Sequence, residues 1–147
     1  MKKIKIYTDG ACRGNPGPGG WGALLEYNGL QKKLHGGECD TTNNRMELMA
    51  AIKALEALNE PCEIDFTVDS EYVKNGITTW IINWKKNNWR TKNKGAVKNS
   101  DLWQRLDLLV QKHKITWLWV KGHSGHKEND IVDGLANLGV DEVLCDK

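Results

Sequence analysis

The 147-residue chain has no apolar run approaching the roughly 18 residues that a membrane span requires. Its opening, "MKKIKIYTDG", holds too short an apolar stretch for a secretory signal and no small-residue cleavage site. These absences argue against membrane insertion and export, so a cytoplasmic location is expected. The four cysteines, Cys12, Cys39, Cys62 and Cys145, lie far apart and form no Cys-x-x-Cys pair. Reduced thiols follow, and neither a disulfide framework nor a structural zinc site fits that spacing. No internal repeat, low-complexity tract or linker breaks the chain, and one domain over residues 1–147 is expected. A last absence is local: from Tyr72 to Ser100 there are seven Lys or Arg and no Asp or Glu. With an overall charge of only +2, the rest of the chain is therefore net acidic.

What is present reads as a compact α/β pattern, with 39% hydrophobic and 27% charged residues, as in ordinary globular proteins. "KIKIYT" (3–8) alternates and predicts a strand that ends at Asp9-Gly10, while "RGNPGPGG" predicts a loop. "WGALLEY" and "QKKLHGG" read as two more strands joined by an Asn28-Gly29 hairpin turn. A helical pattern runs from Thr42 to Leu58, and "EIDFTVD" is a fourth alternating strand. "TWIINWKKNNW" suggests a helix with Trp80 and Trp84 on one face, and "SDLWQRLDLLVQKH" a helix capped by Ser100. "ITWLWVKG" gives the fifth strand and residues 127–143 the last helix. This order implies a mixed five-stranded sheet flanked by helices, antiparallel at the hairpins and parallel where helices cross over.

Carboxylates recur where such sheets build sites. Asp9 and Asp69 each follow a strand on its less apolar side, at the ends where α/β proteins tend to bind ligands. Either aspartate alone is most simply a turn residue. Glu47 heads a helical stripe with Ala51, Ala54 and Leu58, where a carboxylate is costly to bury without a partner. Asn44 three residues earlier offers a capping-box explanation, yet Thr42 is an equally good cap and frees Glu47 for other work. Acids brought together in this way would need hard cations, Mg²⁺ or Mn²⁺, and two such ions can activate a water and stabilise a leaving phosphodiester oxygen. The stretch "HSGHKENDIVDG" (123–134) then admits two readings: a local metal site on His123 and His126, or one residue contributed to a site assembled from upstream.

Five blocks, "YTDGACRGNPGPGGWG", "TTNNRMELMAAIKALEAL", "VDSEYV", "WQRLD" and "WVKGHSGHKEND", together resemble bacterial type 1 ribonuclease H, in that family's order, from about residue 4 to 140. The resemblance implies a ribonuclease H-like fold with a basic handle, and an endonuclease that hydrolyses the RNA strand of RNA–DNA hybrids. It implies four carboxylates, Asp9, Glu47, Asp69 and Asp133, holding two Mg²⁺ (or Mn²⁺), with Asp9 bridging them. The ends left are a 3′-hydroxyl and a 5′-phosphate. His123 would aid proton transfer or product release and would not ligate metal. Thr42, helped by Asn15, would grip a DNA phosphate, while Asn43 and Asn44 would read the RNA minor groove and its 2′-hydroxyls. In the handle, Lys85, Lys86, Arg90, Lys92 and Lys94 would attract phosphates, and Trp80 and Trp84 could pack on deoxyribose or in the core.

Two positions depart from the family pattern. Gly134 follows Asp133 where relatives often carry a larger or charged residue, and this predicts a helix that frays near Asp133. Glu71 adds a negative charge two residues beyond Asp69. A non-catalytic nucleic-acid-binding module of the same fold is the alternative, opposed by the presence of all four acids and His123. A superfamily nuclease or transposase is a third reading, opposed by "TTNNRMEL" and the basic handle. The ends of the chain suggest a free-standing monomer with no obligate protein partner, no membrane association and no added hybrid-binding domain.

Overall fold

The computed structural model describes residues 1–90, 97–120 and 127–145, the last without its side chain. Three long strands open it: β1 (Lys2–Cys12), β2 (Gly17–Tyr27) and β3 (Leu30–Thr41). Tyr27 pairs with Leu30 across Asn28 and Gly29, whose φ values of 49° and 79° are the left-handed pair that a tight hairpin needs. Helix α1 (Asn43–Glu56) and strand β4 (Cys62–Val68) follow. A helical run is then built from α2 (Glu71–Asn75), a π-helical stretch (Gly76–Trp80) and α3 (Ile81–Lys86). Helix α4 (Ser100–Val110), strand β5 (Lys114–Trp119) and helix α5 (Lys127–Cys145) complete the order.

The sheet order is β3-β2-β1-β4-β5. β2 is antiparallel to both β1 and β3, and β4 is parallel to both β1 and β5, as the alternation of hairpins and crossovers implied. Ile4, Ile6, Ile64, Phe66 and Val68 point into one core with Met46, Ile52 and Leu55 of α1 and Trp103 and Leu106 of α4. Each such fully buried side chain contributes roughly 1.5–3 kcal/mol of transfer free energy. No helix among the described residues is long and apolar enough to cross a membrane. Cys12, Cys39 and Cys62 are free thiols.

The structure departs from the sequence reading at several points. β1 does not end at Asp9 but runs to Cys12, with Asp9 opposite Gly22. Only the first part of "RGNPGPGG" is loop; Gly17 to Gly20 belong to β2. Glycine density hid a strand there because that strand is overlain by a helix backbone instead of side chains. Ser100 is the first residue of α4 and not its cap; Asn99 takes that place at φ 61°, with its side chain committed elsewhere. The helix expected around Trp80 carries a π-helical stretch beginning at Gly76, where an added Cβ would lie 1.9 Å from the buried Trp103 ring.

Gly134 sits inside a continuous helix, α5, and an added Cβ there would find open space. What seats α5 is a seam of glycines: a Cβ on Gly22 would lie 2.6 Å from the Val132 carbonyl oxygen, and one on Gly139 would lie 2.0 Å from that of Gly36. Because Gly10 faces α1 and Gly22 faces α5, the two helices cover opposite faces of the β1–β2 hairpin. Gly134→Ala is therefore expected to raise the unfolding free energy by up to about 1 kcal/mol in urea titration. Gly22→Ala is expected to lower it by more than about 1 kcal/mol in the same measurement, because backbone cannot yield to the new methyl.

Candidate active site

The site forms where the two halves of the sheet part. Parallel pairing of β1 with β4 stops at Tyr7 and Thr67, while antiparallel pairing of β1 with β2 continues to Cys12. Asp9 thus lies on a strand held from one side only. Asp69 stands one residue beyond the end of β4, and the Ser70 hydroxyl after it accepts from the Val73 amide to start α2. Glu47 comes from the second turn of α1. Thr42 caps that helix by accepting from the Arg45 amide at 3.2 Å, so Glu47 has no capping duty. The Asn44 capping box is therefore excluded.

Gly10 brings these parts together. A Cβ on it would lie 2.6 Å from the Glu47 amide nitrogen and 2.8 Å from the Met46 carbonyl carbon, so only glycine lets α1 pass this close. Its amide donates to Asp9 Oδ1 at 2.9 Å and to Glu47 Oε1 at 3.2 Å. One oxygen each of Asp9, Glu47 and Asp69 lies within 4.8 Å of the others. Asp9 and Glu47 are buried, and Glu47 Oε2 has no hydrogen-bond partner.

Charge makes the trio unstable by itself. Burial, then the charge of Asp69, pushes the Asp9 carboxyl up from 3.8 to about 7, against the opposing amide of Gly10. Glu47 is held well above the ordinary carboxyl range, first by burial, then by the charges of Asp9 and Asp69. All-oxygen donors, one of them buried and unpartnered, fit a hard divalent cation. Asp133, half-buried on α5, lines the same cleft and raises the Asp9 carboxyl, but it stands outside the group of three.

Around the acids, Asn43 and Asn44 line the cleft, as does Glu71. The Asn15 side-chain oxygen accepts from the Asn43 amide at 3.1 Å, so Asn15 shapes the start of α1. Thr42 Oγ1 accepts in its cap and keeps its own proton to donate. Trp80 is half-buried, its ring 5.7 Å from Tyr72 and 5.8 Å from Trp84, so packing accounts for much of its surface. Lys85, Lys86 and Arg90 are all exposed, and Lys85 is also paired with Asp107 at 3.2 Å. Lys92, Lys94 and His123 lie outside the described residues. The roles of Gly10 and Tyr72, which also lines the cleft, were missed in sequence; the Gly after Asp9 was the one available signal.

A mixed sheet with this strand order and acids at the parting of β1 and β4 is a ribonuclease H-like fold. The chain belongs to the RNase H family, whose family model matches residues 1–141. It is 64% identical over 141 residues to the ribonuclease H of Legionella pneumophila (strain Corby), covering 96% of this chain and 99% of that one. It is 65% identical over 143 residues to that of Alcanivorax borkumensis, covering 97% and 95%. Among solved structures, LC9-RNase H1, described as a type 1 RNase H with the type 2 active-site motif, superposes with a TM-score of 0.87 at 34% identity, over 97% of this chain and 74% of that one. LC11-RNase H1, solved in complex with an RNA/DNA hybrid, shares the fold at 24% identity and a TM-score of 0.65, over 96% and 99%.

The raised carboxyl of Asp9 has a consequence for stability. Between pH 3.8 and about 7 the folded state retains a proton that the unfolded chain has released, so this group favours folding at low pH and ceases to as pH rises through about 7. Asp9→Asn removes the buried charge. In metal-free protein it is expected to raise stability at pH 8 by on the order of 2–4 kcal/mol, a gain that shrinks as pH falls towards 4, followed by thermal melts across that range.

Proposed function

We propose that the protein is an endonuclease that hydrolyses the RNA strand of RNA–DNA hybrids, leaving 3′-hydroxyl and 5′-phosphate ends. The observation that carries this reading is the buried, mutually repelling group of Asp9, Glu47 and Asp69, with the Glu47 oxygen left unpartnered. A binding module without catalysis has no use for such an arrangement, which lowers stability unless a cation enters. Membership of the RNase H family supports the substrate class.

In this reading Asp9, Glu47, Asp69 and Asp133 would hold two Mg²⁺ ions. When bound, the ions supply an activated water and charge for the leaving oxygen. The chain's own residues bind and orient. Asn43 and Asn44 face the RNA minor groove, where the 2′-hydroxyl separates RNA from DNA. The Thr42 hydroxyl donates to a DNA phosphate while Asn15 keeps the start of α1 in place. Lys86 and Arg90 attract the backbone, and Trp80 presents part of its ring to a sugar. Lys85 adds to this attraction while paired with Asp107 at the surface. His123 keeps the role that the resemblance implies, proton transfer or product release. The protein acts as a single-domain cytoplasmic monomer.

Labelled RNA–DNA hybrid, double-stranded RNA and double-stranded DNA, each incubated with Mg²⁺ or EDTA, test the reading. Cutting of the hybrid's RNA alone, abolished by EDTA and by Asp9→Asn, is expected. Activity persisting in Asp9→Asn purified free of host nuclease would sink it. Hybrid binding is expected to weaken steeply with salt, and Lys86→Ala and Arg90→Ala to flatten the log–log slope by about one unit for each phosphate no longer neutralised.

A further inference from the structure

A chain of polar contacts runs from the first turns of α1 to the base of the basic helical run, and the proposed function makes no use of it. Arg45 sits between Asn44 and Glu47. Its guanidinium forms a fork on Asp101, with Nη1 donating to Oδ1 at 3.2 Å and Nη2 to Oδ2 at 3.0 Å. The same Nη1 donates to Asn99 Oδ1 at 3.1 Å. Asn99 holds a left-handed φ of 61° where the chain enters α4, so its backbone is set for a particular side-chain direction. Its Nδ2 then donates to the Tyr72 hydroxyl at 3.0 Å, which also accepts from the fully buried Trp103 Nε1 at 3.0 Å. Tyr72 lines the carboxylate cleft, and its ring packs against both Trp80 and Trp103.

Both ends of this relay bear on substrate. At one end is the α1 segment carrying Asn43, Asn44 and Glu47; at the other is the helical run carrying Trp80 and Lys86, with Arg90 just beyond it. Their separation decides whether a hybrid seated on the basic run meets the carboxylates in register. α1 meets the run directly chiefly through α2, while Trp103 of α4 packs its ring on Tyr72, Trp84 and Gly76 of the run. Asn99 serves Arg45 and Tyr72 with opposite ends of one amide, so turning it to suit one would break the other. A lysine at position 45 supplies a point charge and cannot hold Asp101 in a fork while also holding Asn99.

We propose that Arg45 is a positioning residue that sets the basic helical run against the catalytic helix, through Asp101 and the Asn99–Tyr72 relay, and thereby governs hybrid binding more than the chemical step. This rests on the function proposed above. It is distinct from general support of the α1–α4 contact, because the molecule contains an internal control. Arg105 joins the same two helices through a similar fork on Glu56, donating from Nε to Oε2 at 2.9 Å and from Nη2 to Oε1 at 2.6 Å, at the end of α1 away from the cleft.

The test compares Arg45→Gln, Arg45→Lys, Asp101→Asn and Arg105→Gln in the full chain, by melting temperature and by steady-state cleavage of a labelled hybrid. Arg45→Gln is expected to raise KM roughly tenfold with kcat within about twofold, the pattern of weakened binding. Arg45→Lys should recover only part of that loss. Asp101→Asn should raise KM in the same direction, and the double variant Arg45→Gln/Asp101→Asn should be no worse than Arg45→Gln alone. Arg105→Gln should lower the melting temperature and leave KM unchanged. Equal KM changes in Arg45→Gln and Arg105→Gln would overturn the inference, as would full recovery by lysine. If Arg45→Gln does not fold, the KM values of Arg45→Lys and Asp101→Asn decide: wild-type values in both overturn it. Failure of the unsubstituted chain to cut hybrid would instead overturn the function on which the inference rests.

Discussion

Asp9 and Glu47 are buried beside each other and beside Asp69, and every member of that group is an acid. The Gly10 amide is shared between the Asp9 and Glu47 carboxylates. Like charges at such separations in a poorly solvated place oppose ionisation, which is why both buried carboxyls retain protons to unusually high pH. The arrangement becomes favourable only when positive charge arrives from outside. The rest of the molecule can be understood as what holds this unfavourable centre together: a hairpin that outruns its parallel neighbour, a capped helix pressed onto Gly10, and a second helix on the opposite face.

The parts are held with unequal firmness. The α1 side is fixed by backbone contact at Gly10 and by the Thr42 cap. The basic side rests on ring packing, Trp84 of the helical run against Trp80, Trp89 and Trp103. Its charges face solvent at Lys85, Lys86 and Arg90, with Lys85 also paired to Asp107 of α4. Electrostatic attraction of a polyanion needs only that charge be present. Cutting at a chosen bond also needs the distance between the two sides to be defined.

Much of this was legible in the residues, for identifiable reasons. Alternation in "KIKIYT" and "EIDFTVD" located the strands and put Asp9 and Asp69 on their polar side, since side-chain period in a strand is fixed at two. The stripe from Glu47 through Ala51 and Ala54 marked a carboxylate facing inward, and Thr42 was recognisable as a cap. What escaped was whatever depends on the absence of a side chain or on distance across the fold. Glycines carry no hydropathy signal, so the last part of β1 and the first part of β2 went unread. Ser100 has the right chemistry for a cap, but Asn99 occupies that position because its amide is needed by Arg45 and Tyr72. Spacing could not reveal that Asp133 would share the cleft while standing outside the tight group of three.

The glycine seam beneath α5 bears on where Asp133 stands. Backbone resting on backbone is the nearest that a helix can come to a sheet, nearer than any layer of interlocked side chains permits. At that spacing the short side chain of Asp133 lines the cleft beside the group of three. A methyl anywhere along the seam would lift the whole helix and withdraw the short acid from its neighbours. The place of one side chain and the bareness of a facing strand are thus a matched pair, although more than a hundred residues of sequence separate Asp133 from Gly22.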